Sequence, residues 1–273
     1  MKKNPITSSV IGPDGKPKPG VQSALMKAVS VQRPLVLAYL RRMRRKHPER
    51  TAAELAKMVE RDYLLTITGS GAAVGATAAI PGVGTVAALG FSAAATVGFL
   101  EASALYAQSL AELHGITTED PDKARILVMA ILLGDEGSSM ISALTHQAAG
   151  RGTGPVKGWA AMFGSNKPSS LWATLQGTMQ RTFLKKMFAT QGASMLGRMV
   201  PFGIGAAVGG FGNRFLGKKV IEAASLAFGT LPTTIPGQLV SEGERKEAMA
   251  EVEAGIEAER LRRGTVLESG AEH

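Results

Sequence analysis

Arg41, Arg42, Arg44, Arg45 and Lys46 crowd five cations into six positions, and the chemistry they offer is anion binding. An apolar segment, Leu35-Val36-Leu37 with Tyr39-Leu40, directly precedes them. On an anionic phospholipid surface each such side chain contributes about 1 kcal/mol. A nucleic-acid patch is the rival reading and is not favoured. The plain one is a solvated helix end, where cations meet the C-terminal dipole. Other reactive side chains are dispersed. His47, His114, His146 and His273 form no H-x-x-x-H pair, so solvent-exposed histidines are expected and no metal site. Asp135-Glu136 could serve as acid and base, but neighbouring residues point to different sides, and a loop at a helix end is the better expectation. Gly69-x-Gly71 and Gly82-x-Gly84 are fragments of phosphate loops that never continue as G-x-x-x-x-G-K-[ST]. No Gly-x-Ser-x-Gly occurs and there is no cysteine, which removes the serine-hydrolase elbow, disulfides and thiol nucleophiles. No catalytic residue and no cofactor are expected.

What must carry the cationic cluster is a small-residue helical core. Asp62 and Glu101 bracket a stretch with no charge at all, GSGAAVGATAAIPGVGTVAALGFSAAATVGF at its centre. Pro81-Gly82 marks a turn there, because proline fixes φ and glycine accepts positive φ. Gly71, Gly75 and Ala79 recur every four residues on one side, and Gly90, Ala94 and Gly98 on the other. On a helix this spacing makes a ridge without side chains, along which another backbone can pack. The spacing predicts two helices packed as a hairpin. GAAVG recurs at Gly205 to Gly209, which predicts a second glycine-zipper helix. The arms Leu64 to Ile80 and Val83 to Leu100 reach the minimum length for a bilayer span, about 17 residues. Their Ala, Gly, Ser and Thr content makes lipid a poor home for them, so burial in protein is expected.

Around this core the chain divides into a disordered leader over 1–30, a helical domain over 31–240 and a charged tail helix over 241–273. A short helix is expected over Val21 to Gln32, and Pro34 suits the first turn of the next. Thr51-Ala52-Ala53-Glu54 and Ser241-Glu242-Gly243-Glu244 are capping boxes. Asp120-Pro121 opens a helix, while Gly115, Gly134 and Gly229 end others. Leu171, Leu175, Met179, Phe183 and Met187 define an amphipathic helix capped by Ser170. The region 147–170 reads as a loop, in which Trp159 and Phe163 either anchor on the core or dip into a membrane interface. No strand pattern appears, so the fold class is all-α. Nucleic acid, anionic lipid and plain solubility compete to explain the net charge of +9.

RKHPE (Arg45 to Glu49), TGSGAAVGATAAIPGVGT (Thr68 to Thr85), LYAQSLAELHGI and MVPFGIGAAVGGFGNRFLGKK (Met199 to Lys219) resemble the EcsC family of bacterial proteins. Pro201, Gly203, Gly205, Gly209, Gly210 and Asn213 carry the most specific part, and the resemblance covers about Leu35 to Phe228. It implies no catalytic residues. It implies instead a membrane leaning and an accessory role beside a membrane transport system. The expected function is therefore a non-enzymatic, membrane-associated helical protein on the cytoplasmic side, touching an anionic membrane surface or a membrane protein complex. Its alternatives are a soluble helical domain binding a lipid-like or other apolar ligand, and a hydrolase of unknown type. Oligomeric state is not legible.

Overall fold

Thr51 and Glu54 settle where a 27-residue helix begins. The Glu54 amide donates to Thr51 Oγ1 at 3.3 Å, and the Thr51 amide donates back to Glu54 Oε2 at 3.0 Å. This reciprocal cap satisfies two amides that a helix start leaves without partners. A computed structural model describes residues 18–78, 85–141, 159, 170–194, 205–233 and 235–240, with 246, 250, 253 and 254. Among them run seven α-helices: α1 (Pro19–Ala28), α2 (Arg33–Lys46), α3 (Ala52–Ala78), α4 (Thr85–Leu113), α5 (Pro121–Leu133), α6 (Ser170–Ser194) and α7 (Gly205–Phe228). A 3₁₀ turn, Gly237–Leu239, follows. The described residues contain no strand, and the fold is all-α.

The C-terminal half of α4 is the axis of the molecule. From Ser103 to His114 every residue but the half-buried Leu105 is buried, the pattern of a helix enclosed on all sides. It packs against α1, α2, α3, α5 and α7, while α6 packs on α5. α3 and α7 form the most extensive helix pair, with α3 and α4 next. Small side chains make this enclosure possible: Ala104, Ala107 and Ala111 lie at 0–1% exposure. Larger groups close the gaps. Tyr63 of α3 stacks on Tyr106 of α4 with ring centroids 4.8 Å apart, and its hydroxyl lies 2.8 Å from Ser103 Oγ.

Local signals are obeyed at most helix ends. Asp120 accepts from the amides of Asp122 and Lys123 at 2.9 and 3.3 Å. Gly115, Gly134 and Gly229 have φ of 76°, 66° and 70°, a region that favours glycine. Leu175, Met179 and Phe183 are buried along α6 as their spacing predicts, with Met187 half-buried. Trp159 anchors on the core: its indole N–H donates to the Ala227 carbonyl at 2.9 Å, and its ring lies 6.2 Å from Phe228.

Four expectations change. Part of the span 1–30 expected as a leader is helical, because α1 occupies 19–28 and buries Leu25 and Ala28. α1 also stops before Gln32, since residues 29–32 cross-link the fold instead. Ser30 Oγ donates to the Met26 carbonyl and accepts from Arg125 Nε, while the Val31 carbonyl accepts from Gln108. Asp135 and Glu136 are helical rather than a loop, because Gly134 reverses the chain and residues 135–141 resume the helix. His114 is buried, with Nδ1 2.7 Å from the Leu110 carbonyl and its ring stacked on Phe228 at 5.1 Å. The Pro81-Gly82 turn, Phe163, most of the 147–170 loop and the tail capping box at Ser241 lie outside the described residues.

Candidate functional site

Gly217 decides how closely α7 can lie on α3. A methyl group there would overlap Ile67 Cδ1 and approach Leu64 Cδ2 to 3.2 Å. One turn earlier, Asn213 Nδ2 donates to the backbone carbonyl of Ile67 at 3.0 Å, a polar clamp between two otherwise smooth helices. Asn213 is the last residue of the late glycine motif. Its neighbour Arg214 is thereby delivered to the flank of α3.

On that flank Ala53, Lys57, Arg61 and Leu65 recur every four residues and are exposed, so they form one outward stripe. Lys57, Glu60, Arg61, Leu64, Leu65 and Arg214 line an open groove of about 360 Å³ along the seam. Arg61 pairs with Asp62 at 3.4 Å. Lys57 and Arg214 have no carboxylate within ion-pair distance among the described residues. Exposed apolar side chains occur on the same two helices: Leu65 on α3 is 62% exposed, and Phe215 and Leu216 on α7 are 63% and 50% exposed. Lys218 and Lys219 stand next to them, Lys219 paired with Glu222 at 3.0 Å.

The α2 cluster does not line this groove. Arg41, Arg42, Arg45 and Lys46 are exposed and Arg44 is half-buried, its Nη1 donating to the Arg50 carbonyl at 2.9 Å. The apolar segment beside them does not face outward: Val36, Leu37, Leu40 and Met43 are buried, and only Leu35, at 61% exposure, is open. The cluster is thus a cationic helix end. α2 meets α3 where Tyr39 donates to Asp62 at 3.2 Å, beside Arg61.

Of the proposed packing glycines, Gly71 is buried in α3. At Gly98 an added methyl meets no described atom within 4 Å. Gly75, Gly90, Gly205 and Gly209 lie in helices, and their surroundings fall outside the described residues. Gly217 is a packing glycine that the sequence reading did not single out, although Gly205, Gly209, Asn213 and Gly217 share the same four-residue spacing.

A second polar centre is internal. Glu112 is fully buried in α4, and its Oε1 accepts from Arg33 Nε at 2.7 Å, the Thr118 amide at 2.8 Å and Thr118 Oγ1 at 2.7 Å. Arg33 Nη2 reaches the other oxygen at 3.2 Å, and Arg33 Nη1 reaches Glu119 at 3.2 Å. This bidentate pair ties the start of α2 to the end of α4, a structural role for which a buried charge needs all its partners. Among the described residues, no three His, Asp or Glu side chains gather to hold a metal. No helix there is long and apolar enough to cross a membrane. Neither a protein-family model, nor a curated protein, nor a solved structure matches the chain.

Proposed function

We propose that the chain is a membrane-associated helical protein that acts by binding, resting on an anionic bilayer surface through α3 and α7. One observation carries the reading. Leu65 stands exposed on α3 in the same stripe as Lys57 and Arg61, and Phe215 stands exposed on the adjoining α7, which carries the exposed Arg214, Lys218 and Lys219. Cations near an anionic surface contribute about 1 kcal/mol each, and an apolar side chain moved out of water adds about 1.5–3 kcal/mol when fully buried. A leucine and a phenylalanine beside five cations therefore suffice for reversible attachment without a span. The exposed cations of α2 add attraction of longer range. The EcsC resemblance supplies the expected neighbourhood, a membrane transport system served by an accessory factor.

Co-sedimentation of the full chain with vesicles tests the proposal at neutral pH. Binding is expected to vesicles rich in phosphatidylglycerol at low salt and not to pure phosphatidylcholine. The Leu65→Ser/Phe215→Ser double variant should lose most of it with its helical content unchanged. Wild-type protein that stays in the supernatant with both vesicles would reject the proposal.

A further inference from the structure

We infer that the groove between α3 and α7 is a headgroup site, which takes the phosphate of one anionic phospholipid and lays the start of its acyl chain on Leu64 and Leu65. The inference rests on the membrane reading and makes it specific. Three cations and one carboxylate line the groove, so its wall carries excess positive charge. Arg61 and Arg214 approach from opposite helices, and guanidinium forks match phosphate oxygens in pairs. Lys57, one turn before Arg61 on the same stripe, adds a point charge to the same space. Lys57 and Arg214 have no carboxylate partner among the described residues, so an incoming phosphate breaks no ion pair of theirs.

Size and shape narrow the ligand further. About 360 Å³ is at the small end for an organic ligand. The groove is open, so it suits a ligand of which only one end is held. A headgroup whose remainder stays in the bilayer is such a ligand, and the leucines lie where its first methylenes must leave. Glu60 shares the wall, and its carboxylate disfavours a bare phosphate relative to a headgroup that offers it a hydroxyl or ammonium donor. Phosphatidylglycerol provides both the phosphodiester and the hydroxyls.

Two variants that remove equal charge separate a site from general attraction. Arg61→Gln/Arg214→Gln empties the groove of two cations. Lys218→Gln/Lys219→Gln removes two beside it. All four side chains are exposed, so both variants should retain the wild-type circular dichroism. On phosphatidylglycerol vesicles the control pair should weaken binding by up to about thirtyfold, the general attraction of two surface cations, and the groove pair by about a further tenfold, because its guanidiniums also lose hydrogen bonds to the phosphate. Equal losses would overturn the headgroup site while leaving the membrane reading intact. Absence of wild-type binding would defeat both. In a calorimetric titration, short-chain phosphatidylglycerol below its micellar concentration should saturate the wild type at one per chain. Inorganic phosphate should not, and equal saturation by inorganic phosphate would overturn the lipid as the source.

Discussion

At Gly137 an added methyl carbon would fall on the carbonyl oxygen of Ala130, whose backbone belongs to the preceding helix. At Gly98 the same methyl meets no described atom within 4 Å. Both residues are helical, and helix propensity alone would make alanine better than glycine by about 1 kcal/mol at either position. Sterics reverse the sign at Gly137, because a backbone carbonyl cannot swing aside as a side chain can. Gly98→Ala should raise the urea midpoint by an amount worth about 0.5–1 kcal/mol. Gly137→Ala should lower it by about 1–3 kcal/mol. A midpoint raised by Gly137→Ala would mean that the helical segment 135–141 does not sit against Ala130, and one lowered by Gly98→Ala would mean that the space beside Gly98 is filled. Residue by residue, what is legible in the sequence is what is local. The Thr51–Glu54 cap, the Asp120 cap and the three helix-ending glycines each span a few positions, so the relevant partners stand side by side in the chain. Arg33 and Glu112 lie 79 positions apart, and nothing near either names the other. The burial of His114 is hidden for the same reason: its stacking partner Phe228 belongs to α7.

Between elements, the α3–α7 seam is held by a missing side chain and one amide. Gly217 lets Ile67 and Leu64 fill the interface, and Asn213 binds the carbonyl that Ser70 Oγ also reaches at 3.1 Å. Gly217→Leu should therefore destabilise strongly, since Ile67 is fully buried and has little room to move; overpacking of this kind costs about 1–3 kcal/mol or more. Asn213→Ala should cost about 1 kcal/mol, the net value of one hydrogen bond. Thermal denaturation orders the two. A wild-type melting temperature for Gly217→Leu would show that the helices are not in contact there. The four-residue recurrence of small residues marks a smooth face on α7 by spacing alone. Its partner is not legible in the same way. The glycines of α3 and α4 suggest that these two helices pack chiefly on each other, yet α3 packs most extensively on α7. The groove is hidden for that reason: Lys57 and Arg61 declare a common face by their spacing, but Arg214 joins them only through the seam.

For the whole molecule the proposed membrane attachment is what needs testing, and the usual alkaline wash is a poor way to test it. All three tyrosines of the chain lie in or against the core. Burial raises the pKa of each above the ordinary value near 10, helped at Tyr39 by the Asp62 carboxylate and at Tyr106 by Glu60. Below pH 10 these phenols are neutral in folded and unfolded chains alike, and they leave stability unaffected. Above it the unfolded chain releases protons that the folded chain keeps, so stability falls as the pH rises. Tyr63 and Tyr106, at 4% and 3% exposure, each remove about 1.4 kcal/mol per pH unit. One unit thus takes about 3 kcal/mol from a domain stability that is typically only about 5–15 kcal/mol. Alkaline carbonate therefore weakens the fold as well as the attachment, and release in alkali does not report depth in a bilayer. Neutral high salt is the informative wash, because it screens surface cations and leaves the core alone. A substantial fraction of membrane-bound chain should come off in salt at neutral pH. In alkali, helical circular dichroism should decline together with the appearance of tyrosinate absorbance, and Tyr63→Phe should delay both. Tyrosinate forming while the helical signal stays level would put the phenols in water. Retention through neutral salt, with detergent needed for extraction, would replace surface attachment by insertion.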